Sequence, residues 1–451
     1  MTARSRVEDI RDAVRTQLWP APTAGILLAV LAGVLLPELD RAIDDLLPDS
    51  VTGYLFGGGA SAARTVLDAV ASSLITVTSL TFSLTVVTLQ LASGQFSPRL
   101  LRTFTRDRFV HVTLALFLAT FVYALTVLRT VRSTDEQQDQ FVPQISVTVA
   151  FVLAVASVVA LVLFLAHLAR EIRVETMLAG VHRDATSTVT RLFSDTAGSP
   201  GTHQVQDPPP VPPSGATSFL ADESGFLTGI DRVGLCRTAC EYDAVVRVDR
   251  FPGEFVVAGT PVGRYWWEGE IPDRERRAEF VDSLAGGVTI GMERTDTQDF
   301  TFGLRQLTDV TSKALSPGVN DPTTAIHSLG HTSALLCEIA RHDLVDELIR
   351  DDDGQLRVIC RRTDFARLLD EALTQPRRYG AADPAVVTRL FTLLREVGWS
   401  VHADEQRQAV LGQLERLQQT VAAQDFDAVE RGGFDACERD VREALQGTWS
   451  G

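Results

Sequence analysis

Four apolar runs dominate the first 170 residues, and the polar positions inside them are as informative as the apolar ones. The first covers 22–36 with Trp19 ahead of it, barely the roughly 20 residues needed to cross a bilayer. The second is uncharged from just after Asp68 to Ser97, so it spans and protrudes. The third covers about 109–128 and the fourth about 142–168. No small-residue cleavage site precedes Pro37-Glu38, so the first run reads as a span and not as a removed leader.

The second run is unusual for lipid contact. At helical spacing Ser72, Thr76, Ser79 and Ser83 share one stripe, and Thr78, Thr81, Thr85 and Thr88 a second, with Gln90 beyond them. Neither stripe gains by facing acyl chains, so both are expected to face other helices or water. Hydroxyls can replace part of a solute's hydration shell, or they can let helices approach and bond across one another. Four spans alone enclose little space, so the first reading requires an oligomer. Asp68, with Arg64 one turn before it, is the candidate mouth of such a path, and an interfacial ion pair is the competing reading.

Beyond the fourth span the helical pattern continues over 171–206 as a connector, and a proline-rich linker follows at 207–215. The period then changes to two. Strands are expected at 224–231, 244–250 and 254–263 within a small β module over 216–300. The arrangement resembles the barrel-sandwich hybrid domains that include biotinyl and lipoyl carriers, but no lysine lies where such a carrier attaches its cofactor. From about Phe302 the pattern returns to helix and is expected to stay there to the end, giving a helical domain over 301–451. The predicted class is a membrane protein of four transmembrane helices followed by an α+β region.

Charge sets the orientation. Arginines cluster in the N-terminal tail, in the loop between spans two and three (Arg99, Arg102, Arg106, Arg108) and at the exit of span four. The positive-inside rule then places both termini and the C-terminal region in the cytoplasm, with the spans in a cell (inner or plasma) membrane. The basic loop is also the expected contact for anionic lipid headgroups. The net charge of −16 argues against a nucleic-acid partner, which requires a basic face. Five cysteines, odd in number and irregularly spaced, do not form a disulfide framework.

Candidate chemistry in the second half centres on 313–324. Pro317-Gly318 makes a turn, Asn320 or Asp321 can cap the next helix, and Pro322 suits a first helical position. The alternative treats Lys313, the chain's single lysine, with Ser316, Asn320, Asp321, Thr323 and Thr324 as a polar site for an anion or other small ligand. His327 and His331 stand four apart, but no third ligand appears at a recognisable offset, so no metal is expected. No nucleophile elbow, phosphate loop or zinc-protease helix occurs, and neither a catalytic set nor a cofactor is assigned.

Two stretches are long enough to be specific: Leu89-Gln90-Leu91-Ala92-Ser93-Gly94-Gln95-Phe96-Ser97-Pro98-Arg99-Leu100-Leu101-Arg102, and Leu315-Ser316-Pro317-Gly318-Val319-Asn320-Asp321-Pro322-Thr323-Thr324-Ala325. Through them the chain resembles a bacterial family of predicted membrane proteins catalogued as a domain of unknown function. The resemblance implies four spans and a cytoplasmic domain, and carries no reaction, substrate or cofactor with it. The expectation is an oligomeric ion or solute conduit lined by the second span, with a cytoplasmic gating or ligand-sensing domain. The alternative is a membrane-anchored sensor or scaffold without transport.

Overall fold

The computed structural model describes residues 19–43, 55–95, 107–132, 141–171, 173–198 and 210–449. The chain divides into two compact units between Arg173 and Val174. Four helices in the first unit are long and apolar enough to cross a membrane: α1 (Pro20–Ile43), α2 (Ala60–Gln95), α3 (Arg108–Leu128) and α4 (Gln144–Glu171). At 1.5 Å per residue, α2 is roughly 54 Å long against a hydrocarbon core of about 30 Å.

The second span is not the centre of this unit. In the apolar 18-residue stretch of each helix, half of α3 is buried, against 28% for α2 and 17% for α1 and α4, and α3 packs on all three other helices. Small residues let α1 lie close to it. A Cβ on Gly25 would stand 3.1 Å from the Ala115 carbonyl oxygen, and one on Gly33 would stand 2.8 Å from Thr126 Cβ. Ala29, midway between them, is buried as well. Gly25, Ala29 and Gly33 therefore form a small-residue seam with a four-residue period, the usual device for close helix approach where water supplies no hydrophobic drive. The outward faces of α1 and α4 are apolar, with Leu27, Leu31, Val155, Val158 and Val162 exposed.

Both ends of the bundle are held by polar contacts. At one end, the buried Asp40 carboxylate of α1 accepts from the Ile145 amide (2.9 Å), the Ser146 amide (3.0 Å) and the Ser146 hydroxyl (2.6 Å) at the start of α4. The Tyr123 hydroxyl of α3 donates to the Ser146 carbonyl at 3.1 Å, so three helices meet at one residue. At the other end Asp107 caps α3 by accepting from the Phe109 amide, and it also pairs with His167 of α4.

The second unit opens with α5 (Val174–Gly198), which packs on two helices from much later in the chain, α8 (Thr301–Ala314) and α9 (Pro322–Ala340). The segment read as a connector is thus part of the second unit. Next come β1 (Thr217–Leu220), β2 (Gly225–Ile230), α6 (Arg232–Glu241), β3 (Ala244–Val248), β4 (Phe255–Val256), β5 (Pro261–Trp267), α7 (Arg274–Gly286) and β6 (Val288–Gly291). After α9 stand β7 (Glu347–Arg350), β8 (Leu356–Cys360), α10 (Phe365–Tyr379), α11 (Pro384–Ser400), α12 (Asp404–Ala422) and α13 (Ala428–Leu445).

The expectation of unbroken helix from Phe302 is corrected here, because β7 and β8 interrupt it. They complete a five-stranded sheet of order β1-β5-β3-β8-β7, in which β3 and β8 run parallel through the pairs Val246–Val358 and Val248–Cys360. A second sheet has the order β4-β2-β6. Phe219, Leu227, Val246, Val256, Phe280 and Val358 belong to one apolar core shared by both sheets, α6 and α7. Two helices (α6, α7) and two strands (β1, β6) unforeseen within 216–300, and two strands (β7, β8) from outside it, are therefore part of the two sheets and the core of the β module.

Candidate functional site

The membrane unit's chemistry lies on α2, and packing on the other helices gives its two stripes different surroundings. Thr78, Thr81 and Thr88 are buried, on the face that also carries Ala63, Leu67, Ala71 and Leu74. Their neighbourhood is helix packing: Thr78 donates to the Leu74 carbonyl (2.7 Å), Thr85 to that of Thr81 (2.8 Å) and Thr88 to that of Leu84 (2.9 Å). Within one copy this stripe is therefore largely covered, with Thr78, Thr81 and Thr88 buried and Thr85 half-buried.

The other stripe points away from the bundle. Ser72, Thr76, Ser79, Ser83 and Gln90 are all exposed, and so are Ser61, Thr65 and Asp68. At about 100° per residue these eight positions fall within an arc of roughly 80°. Ile75 and Phe82 on one side and Leu80 and Val87 on the other flank it, also exposed. One narrow track, polar except for Val86 between Ser83 and Gln90, therefore runs along the outside of a membrane helix, between apolar shoulders. Ser61 and Thr65 are the members that reading of the span alone passed over; with Asp68 they lie at i−11, i−7 and i−4 from Ser72 and extend the same period. Arg64, read as the partner of Asp68, donates instead to the Val131 carbonyl at 2.9 Å.

Of the four arginines expected at lipid headgroups, Arg108 is exposed at the start of α3, and Arg99, Arg102 and Arg106 lie outside the described residues.

The 313–324 motif is built as a helix–turn–helix joint. Asp321 caps α9 by accepting from the Thr324 amide (3.1 Å) and hydroxyl (2.6 Å), and these contacts hold its carboxyl below the ordinary carboxylate range. Asn320 takes the left-handed conformation, φ 49°, which an amide side chain tolerates better than most. The Ser316 hydroxyl donates to the Lys313 carbonyl, and the Asn320 amide to the Ser316 carbonyl. Lys313 and Thr323 are exposed. The capping reading accounts for the contacts of Ser316, Asn320, Asp321 and Thr324, and the ligand reading gains no contact from them.

Among the described residues no cluster of three or more His, Cys, Asp or Glu side chains that could hold a metal ion occurs, at His327 and His331 or elsewhere. His331 of α9 instead faces His182 of α5, with ring centroids 5.3 Å apart. Burial first, then the charges that His182 and His327 can carry, lower its pKa from the ordinary 6.5. A lowered native value means that the unfolded chain takes up the proton more readily. This contribution to stability is thus fully present above about pH 6.5 and is lost as pH falls through the native value. Thermal melts on either side of that range are expected to show a smaller acid-induced loss of stability for His331→Gln than for the wild type. Equal losses would remove His331 from the account. All five cysteines are free thiols; Cys360 is fully buried, which pushes its pKa up to about 12 and leaves it a core residue.

Comparison with known proteins agrees with this layout. Residues 15–396 match a family described as "Predicted membrane protein (DUF2254)". The chain is 36% identical over 414 residues to the "Uncharacterized protein Rv1290c" of Mycobacterium tuberculosis, an alignment covering 91% of this chain and 77% of the relative. It stands at the same identity and coverage to the "Uncharacterized protein Mb1321c" of Mycobacterium bovis. No solved structure matches it. With four apolar helices of spanning length ahead of a mixed α and β region, and a family match over most of its length, the chain belongs to the DUF2254 family of predicted membrane proteins.

Proposed function

We propose that copies of this protein assemble around the outward polar track of α2 and that the assembly conducts a small ion or solute. One observation carries the reading: Asp68, Ser72, Thr76, Ser79, Ser83 and Gln90 are exposed side by side on a helix of spanning length. A charged or amide side chain within a membrane helix is costly against lipid and is ordinarily turned toward a protein or water-filled interior. Among the described residues of a single copy nothing covers this face, and further copies of α2 supply that interior. The exposed apolar shoulders, Ile75, Leu80, Phe82 and Val87, suit contact between adjacent copies. Asp68 would sit at the mouth, where a carboxylate favours cations.

In this reading the protein is a conduit and not an enzyme, and it needs no cofactor. The arginine distribution supports a plasma-membrane location with both termini in the cytoplasm, and it leaves the second unit there to sense a ligand or gate the path.

The test is ion flux in proteoliposomes, paired with chemical crosslinking of oligomers. The triple change Ser72→Leu, Ser79→Leu and Ser83→Leu is expected to reduce flux to the level of empty liposomes while the oligomer persists. Thr81→Val, which preserves shape inside the bundle, is expected to leave flux within about twofold of wild type. Wild-type protein that passes no ion under any salt or pH gradient would sink the proposal, and would favour an anchored sensor or scaffold in which the same track is only a contact between copies.

A further inference from the structure

Four arginines from four separate stretches of the second unit converge on one polar cavity of about 480 Å³. Arg250 follows β3, Arg294 follows β6, Arg305 lies in α8 and Arg367 in α10. Glu254 and Glu371 are the acidic residues that line the same space. Its volume falls within the few hundred to a thousand Å³ common for small-molecule sites.

The way these charges are held is uneven. Arg294 is fixed from behind by the deeply buried Asp299 at 2.7 Å and by the Thr301 hydroxyl at 2.8 Å. Arg305 is fixed by Asp309 at 3.2 Å. Neither aspartate lines the cavity. Facing it, Glu371 stands 4.0 Å from Arg294 and 3.7 Å from Arg305, both beyond hydrogen-bond length. Glu254 is 3.1 Å from Arg367 but 3.9 Å from Arg250. Arg367 also lies over the Phe251 ring at 4.7 Å, which orients its guanidinium plane.

The lining thus carries four positive and two negative side chains. Three of the guanidiniums are held in place by Asp299, Asp309 or Glu254, and the contacts of Glu371 and Arg250 across the cavity are long. A network built only to staple the loops to α8 and α10 would close those distances. Guanidinium forks match phosphate oxygens two at a time, and such charge-assisted bonds run near 2.8 Å, shorter than anything Glu371 makes here. We propose that this cavity binds a small phosphate dianion, either inorganic phosphate or the phosphate of a monoester, with Arg250, Arg294, Arg305 and Arg367 as its donors. Glu371 is the internal competitor that the ligand displaces from Arg305. The site is separate from the α2 track, and it stands or falls without reference to conduction.

The experiment is calorimetric titration of the full-length, detergent-solubilised protein at low salt with sodium phosphate, adenosine monophosphate and adenosine. Both phosphate-bearing probes are expected to bind and adenosine is not. Tighter binding of the monophosphate identifies an ester as the ligand, and equal binding identifies free phosphate. The pair Arg250→Gln and Arg305→Gln is expected to weaken binding about tenfold or more. Glu371→Gln removes the competitor and is expected to tighten binding, an outcome that a purely structural ion-pair network would not produce. No saturable binding of either phosphate probe overturns the proposal. So does adenosine binding as well as its monophosphate, or a Glu371→Gln protein that melts like wild type and binds no more tightly.

Discussion

Asp40→Ala is expected to cost the membrane unit about 3–4 kcal/mol, because it removes one acceptor shared by three donors. Asp40 is 6% exposed, and its carboxylate accepts from the Ile145 amide, the Ser146 amide and the Ser146 hydroxyl. The two amides belong to the first turn of α4, where backbone donors have no partner within the helix. With Asp40 gone both lose that acceptor, and the amide of buried Ser146 is left unsatisfied, which costs more than the lost bond gained. The damage spreads further, since the Tyr123 hydroxyl of α3 depends on the position of the Ser146 carbonyl. Asp40→Asn keeps one acceptor oxygen and is expected to lose roughly half as much. Thermal unfolding in detergent, followed by size-exclusion chromatography, measures both. A melting temperature unchanged in Asp40→Ala would mean that α1 and α4 are not joined as described.

In the second unit the largest effect is expected at Gly263, in the middle of β5. It pairs with Phe219 of β1 on one side and Val248 of β3 on the other. A Cβ there would lie 2.2 Å from the Arg247 carbonyl oxygen and 2.5 Å from Phe219 Cε1. Neither neighbour can withdraw easily: the first is sheet backbone, and the second is a ring buried in the shared core. Gly263→Ala is expected to destabilise the unit by about 3 kcal/mol, the upper range of overpacking, through separation of β1 from β5. Gly286→Ala at the end of α7 is the control, since a Cβ there meets nothing within 4 Å. Loss of the folded form on heating separates the two variants. Equal melting temperatures would show that Phe219 does not lie across β5.

Several elements could be read from the residues alone because the signal is local. The uncharged length of each N-terminal run marked a span, and the spans lie where the apolar runs lie. Asp321 with Pro322 at the following position marked a helix start, and the cap is made by that carboxylate. The strands at 225–230 and 244–248 followed from their period of two. Other elements lacked such a signal. α7 buries only Phe280 and Leu284, too few to set up a period, and was missed. β8 is five residues long, includes Arg357, and makes its parallel pairing with a strand more than a hundred residues earlier. No local window contains that partner.

Sequence by itself determined that α2 is a long membrane helix carrying two hydroxyl stripes, because helical period and the absence of charge are properties of one segment. Which stripe is covered was decided by tertiary structure. Packing on the other helices covers the face with Thr78, Thr81 and Thr88 and leaves Ser72, Thr76, Ser79 and Ser83 outside. The same division holds for the arginine-lined cavity: its residues are scattered from 250 to 371, and only the tertiary fold brings the segments after β3 and β6 together with α8 and α10. Periodicity reports which residues share a face; the direction of that face depends on what packs against it.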